Sequence, residues 1–125
     1  MAHRVFVLDD EMDVVELLRT ILETEDYEVE VETSPYDALT RLLEDPPDLL
    51  MLDLMMPDLD GFELLKLLRL DPRGASVPVL IISARTGHQD QLLSLQLGAD
   101  AYVCKPFSPM ELLKQVRELI ERGRE

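Results

Sequence analysis

Carboxylate, hydroxyl and ammonium side chains follow four of the five short apolar runs in this sequence. Asp9 and Asp10 follow the first run, Asp53 the third, Ser83 the fourth and Lys105 the fifth. Three carboxylates brought close together would repel one another by about 4 kcal/mol per pair at about 4 Å in an effective dielectric of about 20. They need cations nearby, and Lys105 supplies only one positive charge.

The residue types at these positions favour magnesium as the additional cation. Magnesium in proteins is usually held by a few carboxylates and several waters. Neither histidine nor cysteine is among these residues, which disfavours zinc and copper. A magnesium ion, a carboxylate, a lysine and a hydroxyl together suit phosphoryl transfer, in which a carboxylate nucleophile would form an aspartyl phosphate.

The apolar runs are typical of short buried strands, and helical periodicity separates them. Strands are predicted over residues 4–8, 27–31, 48–52, 77–82 and 101–104. Helices are predicted over residues 12–25, from Pro35 through Leu43, between Asp60 and Asp71, and over 89–97 and 109–121. This alternation predicts a doubly wound α/β domain, with five parallel strands covered by helices on both faces. Ligands of such folds bind beyond the carboxyl ends of the strands, where these polar residues would meet.

Apolar spacing predicts which helix residues face the sheet. The expected inward residues are Val14, Leu18, Ile21 and Leu22 in the first helix and Phe62, Leu65 and Leu68 in the third. In the fourth helix, the leucines at 92, 93, 95 and 97 occupy more than one face. Some of them are therefore expected to be exposed, where they could form a contact surface.

Each polar residue also has a purely structural explanation. Asp9 or Asp10 could cap the first helix, and Asp53 could open a turn. Ser83 could cap the fourth helix, and Lys105 could neutralise an acid. A joint chemical role is nevertheless favoured, because four of five strands deliver such groups to one edge and the first strand supplies two carboxylates where a cap needs one.

Composition restricts the partners of this chain. Its 125 residues are 46% hydrophobic, and 12 Lys and Arg stand against 26 Asp and Glu, for a net charge of -14. Such a surface repels nucleic-acid phosphates and anionic lipid, so no direct contact with either is expected. The single cysteine, Cys104, is expected to be inert core. No long apolar segment or signal peptide is recognisable, which predicts a cytoplasmic domain.

Taken together, the motifs resemble the receiver domain of two-component response regulators. The resemblance covers essentially the whole chain and rests on Asp9-Asp10, the segment DLMMPDLDG from Asp53, Ser83-Ala84, Tyr102, and Lys105-Pro106-Phe107. It implies a flavodoxin-like fold with strand order 2-1-3-4-5. It also implies a single receiver domain over residues 1–125, in which residues 121–125 could begin a linker to an output domain.

The resemblance implies a role for each matching residue. Asp53 would be the phosphoacceptor, and the Mg²⁺ ligands would be Asp9, Asp10, Asp53 and the backbone carbonyl of Met55. Ser83 and Lys105 would contact the phosphoryl group. Tyr102 would be the switch residue that turns inward as Ser83 moves, and Pro106 would follow a cis peptide bond.

The partners implied by the resemblance are a sensor histidine kinase or histidine phosphotransfer protein and an output domain or effector. Phosphorylation would switch the surface formed by the fourth helix, fifth strand and fifth helix, and the chain would promote only its own phosphorylation and dephosphorylation.

Residues 105–113 resemble receivers attached to winged-helix DNA-binding domains, which implies transcription as output and a phosphorylation-dependent homodimer. That subfamily pairs charges where this chain has Gln91, Ala101 and Gln115, although Glu111 remains. Met55 and Arg85 are expected to slow the loss of phosphate.

Three alternative functions are considered. The first is a receiver-like interaction module that works without phosphorylation. The second is a haloacid-dehalogenase-type phosphatase, because residues 58–61 (DLDG) resemble its nucleophile motif, but that motif should leave a strand directly and Pro57 precedes it. The third is a flavin-binding module, which would need a hydroxyl-rich phosphate loop where residues 9–13 are DDEMD.

Overall fold

Strands and helices alternate along the chain, as the periodicity predicts. The computed structural model describes residues 2–54, 60–84 and 87–123. In these ranges the strands are β1 (Arg4–Leu8), β2 (Glu28–Glu32), β3 (Leu49–Asp53), β4 (Val79–Ser83) and β5 (Ala101–Cys104). The helices are α1 (Met12–Glu23), α2 (Pro35–Glu44), α3 (Gly61–Leu70), α4 (His88–Gln96) and α5 (Pro109–Arg122).

The five strands form one parallel sheet in the order β2-β1-β3-β4-β5. Leu8 pairs with Leu52, Asp53 with Ile82, and Ser83 with Cys104. The predicted doubly wound α/β fold is therefore confirmed, and the carboxyl ends of β1, β3, β4 and β5 lie side by side.

Alternate strand residues supply two cores, one on each face of the sheet. Phe6 and Leu8 pack with the buried residues of α2 and α3. Val5 and Val7 pack on the opposite face with those of α1 and α5. This alternation is the pleat of a strand that is buried on both faces.

Two of the predicted helix faces need correction. In α1 the buried valine is Val15, and Val14 is only half-buried. In α3 the buried residues include Leu64, whereas Phe62 is half-buried at the edge of the core. The sheet-facing stripe of α3 begins at Gly61 and continues at positions 64, 65 and 68, which is the spacing of one helix face.

Element boundaries differ from the predictions by one or two residues. Helix α1 ends at Glu23 rather than at residue 25, because Thr24 Oγ1 donates to the carbonyl of Ile21 at 2.6 Å and Asp26 takes a φ of 63° that turns the chain toward β2. Strand β4 begins at Val79, directly after Pro78, which has no N–H to donate to a neighbouring strand. Asp53 is the last residue of β3 rather than the residue after it.

Helix α4 and strand β5 are little buried. In α4 only Ser94 is buried, and Leu92, Leu93 and Leu95 are exposed. All residues of β5 are half-buried, so Cys104 does not lie in the core as expected, because β5 is an edge strand. None of the helices in the described ranges is long and apolar enough to cross a membrane.

Candidate functional site

The predicted site residues meet at one edge of the sheet. Asp9 directly follows β1, Asp53 ends β3, Ser83 ends β4 and Lys105 directly follows β5. These strands are consecutive neighbours in the sheet, so the side chains at their ends converge. The backbone N–H of Lys105 donates to the carbonyl of Ser83 at 2.8 Å, which holds the end of β5 against β4.

The ammonium group of Lys105 joins the carboxylates. Its Nζ lies 3.1 Å from Asp9 Oδ2, 3.3 Å from Asp53 Oδ2 and 3.6 Å from Glu11 Oε1. Asp9 and Asp53 are 2% and 3% exposed, so these two contacts are screened little by solvent. The contact with Asp9 joins residues 96 positions apart in the chain.

Burial and charge shift the proton affinities of this cluster. Burial raises the pKa of the Asp9 carboxyl above its ordinary value, and the nearby Asp53 carboxylate adds to that rise. Burial alone would lower the pKa of Lys105, but the carboxylates of Asp53 and Asp9 outweigh it and hold the pKa above its ordinary value. Lys105 therefore stays charged among the acids.

The carboxylates form a cluster that could hold a metal ion. One oxygen atom from each of Asp9, Asp10, Glu11 and Asp53 lies within 4.8 Å of the others. An all-oxygen donor set with negative charge is suited to a hard divalent cation. Glu11 was not among the predicted site residues, although the sequence shows a third acid directly after Asp9-Asp10.

The structural explanations for these residues are correct only in part. Asp9 Oδ1 accepts a hydrogen bond from the backbone N–H of Glu11 at 2.9 Å, so Asp9 shapes the turn into α1 as well as contacting Lys105. Ser83 is not the cap of α4, which begins after Gly87. Asp53 belongs to a strand rather than a turn, and Lys105 does neutralise acids.

The remaining site predictions have different positions in the structure. Tyr102 is half-buried in β5 and packs against the core on the α2 and α3 side. The peptide bond between Lys105 and Pro106 is cis. Met55 and Arg85 lie outside the described residues.

Strand β3 ends at Asp53, and residues 58 and 59 of the segment at 58–61 lie outside the described residues. Asp60 instead caps α3, with its side chain accepting from the N–H of Phe62 at 2.9 Å. The phosphatase hypothesis therefore has no support from the position of this motif.

Comparison with known proteins identifies the family. The model of the response regulator receiver domain matches residues 5–117, so the chain belongs to the receiver domains of two-component response regulators. It is 38% identical over 123 residues to the DNA-binding response regulator MtrA of Mycobacterium tuberculosis, covering 98% of this chain and 53% of that protein. It is 36% identical over 123 residues to the phosphate regulon transcriptional regulatory protein PhoB of Klebsiella pneumoniae, covering 98% of this chain and 53% of that protein. The chain thus spans about half the length of these curated relatives.

Solved structures agree with this family. The receiver domain of the Francisella response regulator 1452 superimposes with a TM-score of 0.89 at 33% identity, over 96% of this chain and 98% of that one. The chain is therefore a signalling domain with the receiver fold.

Proposed function

We propose that Asp53 is the phosphoacceptor of this receiver domain. The observation that carries the proposal is the position of Lys105 Nζ, which lies 3.3 Å from Asp53 Oδ2 and 3.1 Å from Asp9 Oδ2 at the carboxyl edge of the sheet. An ammonium beside a buried carboxylate is placed to stabilise charge that develops on a phosphoryl group as it arrives. Ser83, at the end of the neighbouring strand, supplies a hydroxyl on the same edge.

The proposed reaction is a phosphoryl transfer from a phosphohistidine of a sensor kinase or histidine phosphotransfer protein. A carboxylate oxygen of Asp53 forms a bond to phosphorus, and the bond from phosphorus to the imidazole nitrogen breaks. The imidazole ring keeps the bonding electrons and takes up one proton from water, so that it leaves as neutral imidazole. Lys105 and Ser83 contact the phosphoryl oxygens, and the chain promotes only this transfer and the later hydrolysis.

The proposed metal is Mg²⁺, held by Asp9, Asp10, Asp53 and the backbone carbonyl of Met55. The all-oxygen acidic cluster supports this proposal. When bound, Mg²⁺ would neutralise the carboxylates and the oxygens of the phosphoryl group.

The proposed output of phosphorylation is a changed surface formed by α4, β5 and α5. As Ser83 moves to the phosphoryl group, Tyr102 turns inward. That Ser94 is the single buried residue of α4 supports this region as the moving part, because a helix with little buried area is stabilised weakly. The exposed leucines of α4 are available to an effector or to a second phosphorylated copy.

The proposed effector function is control of transcription in the cytoplasm. MtrA is a DNA-binding regulator and PhoB a transcriptional regulator, and both are about twice as long as the match. We propose that residues 1–125 form one receiver domain and that residues 121–125 begin a connection to an output domain. With a net charge of -14, this chain itself would not contact DNA.

The experiment that tests the proposal is intact mass spectrometry after incubation with acetyl phosphate and MgCl2. We expect wild type and Asp37→Asn, a variant at an exposed acid of α2, to gain one phosphoryl group. We expect no gain in Asp53→Asn or without Mg²⁺. A phosphoryl group on Asp53→Asn would show that the acceptor is wrong. A folded wild type that accepts phosphate neither from acetyl phosphate nor from phosphotransfer proteins would favour an interaction module that works without phosphorylation.

A further inference from the structure

Glu11 contacts two groups of the site, although no role follows for it from the proposed function. Its backbone N–H donates to Asp9 Oδ1 at 2.9 Å, and its carboxylate Oε1 lies 3.6 Å from Lys105 Nζ. Its carbonyl accepts from the N–H of Val15 at 3.0 Å, which anchors its backbone to the first turn of α1. The side chain of Glu11 therefore extends from a fixed point at the rim of the site.

The three carboxylates around Lys105 are not equivalent. Asp9 and Asp53 are almost fully buried, whereas the Glu11 side chain is 63% exposed. The contact with Glu11 is also the longest of the three, at 3.6 Å. A solvent-screened ion pair is worth less than a buried one, so Glu11 is the partner that Lys105 exchanges most easily.

A phosphoryl group on Asp53 would need the same ammonium group. Lys105 donates hydrogen bonds to Asp9 and Asp53, and the Glu11 carboxylate at 3.6 Å attracts the same ammonium through charge. Glu11 thus competes with the phosphoryl group for Lys105.

We propose that Glu11 is a positioning residue that holds Lys105 toward the rim in the unphosphorylated state and slows the acceptance of phosphate by Asp53. This inference rests on the proposed function, because it assumes that Asp53 is the acceptor. In this inference Glu11 neither binds the metal ion nor contacts the phosphoryl group.

The first measurement is the rate of phosphorylation of Glu11→Gln, which keeps the shape of the side chain and removes its charge. We expect the rate with acetyl phosphate, at MgCl2 concentrations that saturate each variant, to rise by a factor of about 1.4 to 5, the range that corresponds to one exposed ion pair. The matched control is Asp13→Asn, which removes the same charge from an exposed acid in the first turn of α1. Its rate is expected to equal that of wild type.

The second measurement follows Lys105 directly by NMR. The chain has three lysines, at positions 66, 105 and 114, so protein labelled at the lysine ε-carbon gives three signals and Lys105→Gln identifies the one from Lys105. We expect Glu11→Gln to move the Lys105 signal and leave the other two in place. Glu11→Asp, which retains the charge on a shorter side chain, is expected to give an intermediate shift and an intermediate rate.

Two results would overturn the inference. One is a folded Glu11→Gln variant with the phosphorylation rate and the Lys105 signal of wild type. The other is an equal rate increase in Asp13→Asn, which would show a general effect of net charge. A wild-type chain that accepts no phosphate would instead contradict the proposed function, and the Lys105 signal would still report whether Glu11 holds the lysine.

Discussion

Asp9 combines several interactions at the described site. In the turn after β1, Asp9 Oδ1 accepts a hydrogen bond from the backbone N–H of Glu11. Asp9 also contacts Lys105 and is buried beside Asp53. Burial raises its pKa, and repulsion from Asp53 acts in the same direction. Without a bound metal ion, the charged form of Asp9 therefore lowers the free energy of unfolding. Such a cost is expected of a carboxylate whose charge a metal ion would compensate.

We predict that Asp9→Asn stabilises the metal-free protein at pH 7, because the neutral amide avoids the cost of a buried charge beside Asp53. The pKa of Asp9 is higher in the folded than in the unfolded state, so its cost is absent below the ordinary carboxyl pKa and is complete above the raised value. The difference between the variant and wild type should therefore disappear as the pH falls below about 4. Urea unfolding in EDTA at several pH values measures it. A variant less stable than wild type at pH 7 would show that the contacts of Asp9 outweigh its burial.

At the scale of elements, Arg69 connects three segments at the edge of the sheet opposite the site. This arginine of α3 donates to the carbonyl oxygens of Gly74, Val77 and Gly98 at 2.7 to 3.0 Å. It also pairs with Asp100 Oδ2 at 3.2 Å, in a contact where both side chains are mostly buried.

Asp100 extends this connection to the sheet. Its Oδ2 accepts from the N–H of Val79 at 2.8 Å, where β4 begins, and its own N–H donates to the Val79 carbonyl at 2.9 Å. The start of β4 is thus joined to the start of β5. Since these strands end at Ser83 and Lys105, the connection helps to set where both side chains reach the site.

We predict that Arg69→Ala lowers the free energy of unfolding by about 3 kcal/mol, because it leaves buried carbonyls and the Asp100 carboxylate without their donor. Arg69→Lys should recover only part of the loss, since an ammonium cannot reproduce the planar fork of donors. The urea midpoint measures both effects. The control is Arg73→Ala, which removes an arginine that is exposed and pairs with Asp71, and it should leave the midpoint unchanged. An unchanged midpoint in Arg69→Ala would contradict a structural role for this cluster.

At the scale of the whole molecule, the net charge of -14 opposes compaction. Salt screens this repulsion over a Debye length of about 8 Å at physiological ionic strength. General screening and specific binding at the acidic cluster should therefore both stabilise the protein, but only the second depends on particular carboxylates.

We predict that NaCl raises the Tm and that MgCl2 at equal ionic strength raises it further. A ligand at a hundred times its Kd stabilises the folded state by about 2.7 kcal/mol, which gives the expected size of the excess. Asp10→Asn should remove most of the excess and keep the response to NaCl. Equal Tm values in the two salts would argue against a specific cation site.

Much of the fold and site could be predicted from local patterns. Strand order in the chain, the cap at Asp60 and the delivery of Asp9, Asp53, Ser83 and Lys105 to one edge follow from periodicity and from the geometry of parallel sheets. Such patterns depend on residues within a few positions of one another. Period alone did not distinguish Val14 from Val15 as the buried residue of α1, because they precede Leu18 by four and three residues, and both spacings fit one helix face.

The tertiary structure decided the contacts between distant segments. The pairing of Lys105 with Glu11 and the cluster around Arg69 had no counterpart in the sequence patterns. Each depends on how strands and helices are placed relative to one another, and a lysine can reach its acid only after the sheet has brought β1 and β5 to the same edge. The sequence by itself therefore determined which chemistry the site could hold, while packing determined which partner each charged group meets.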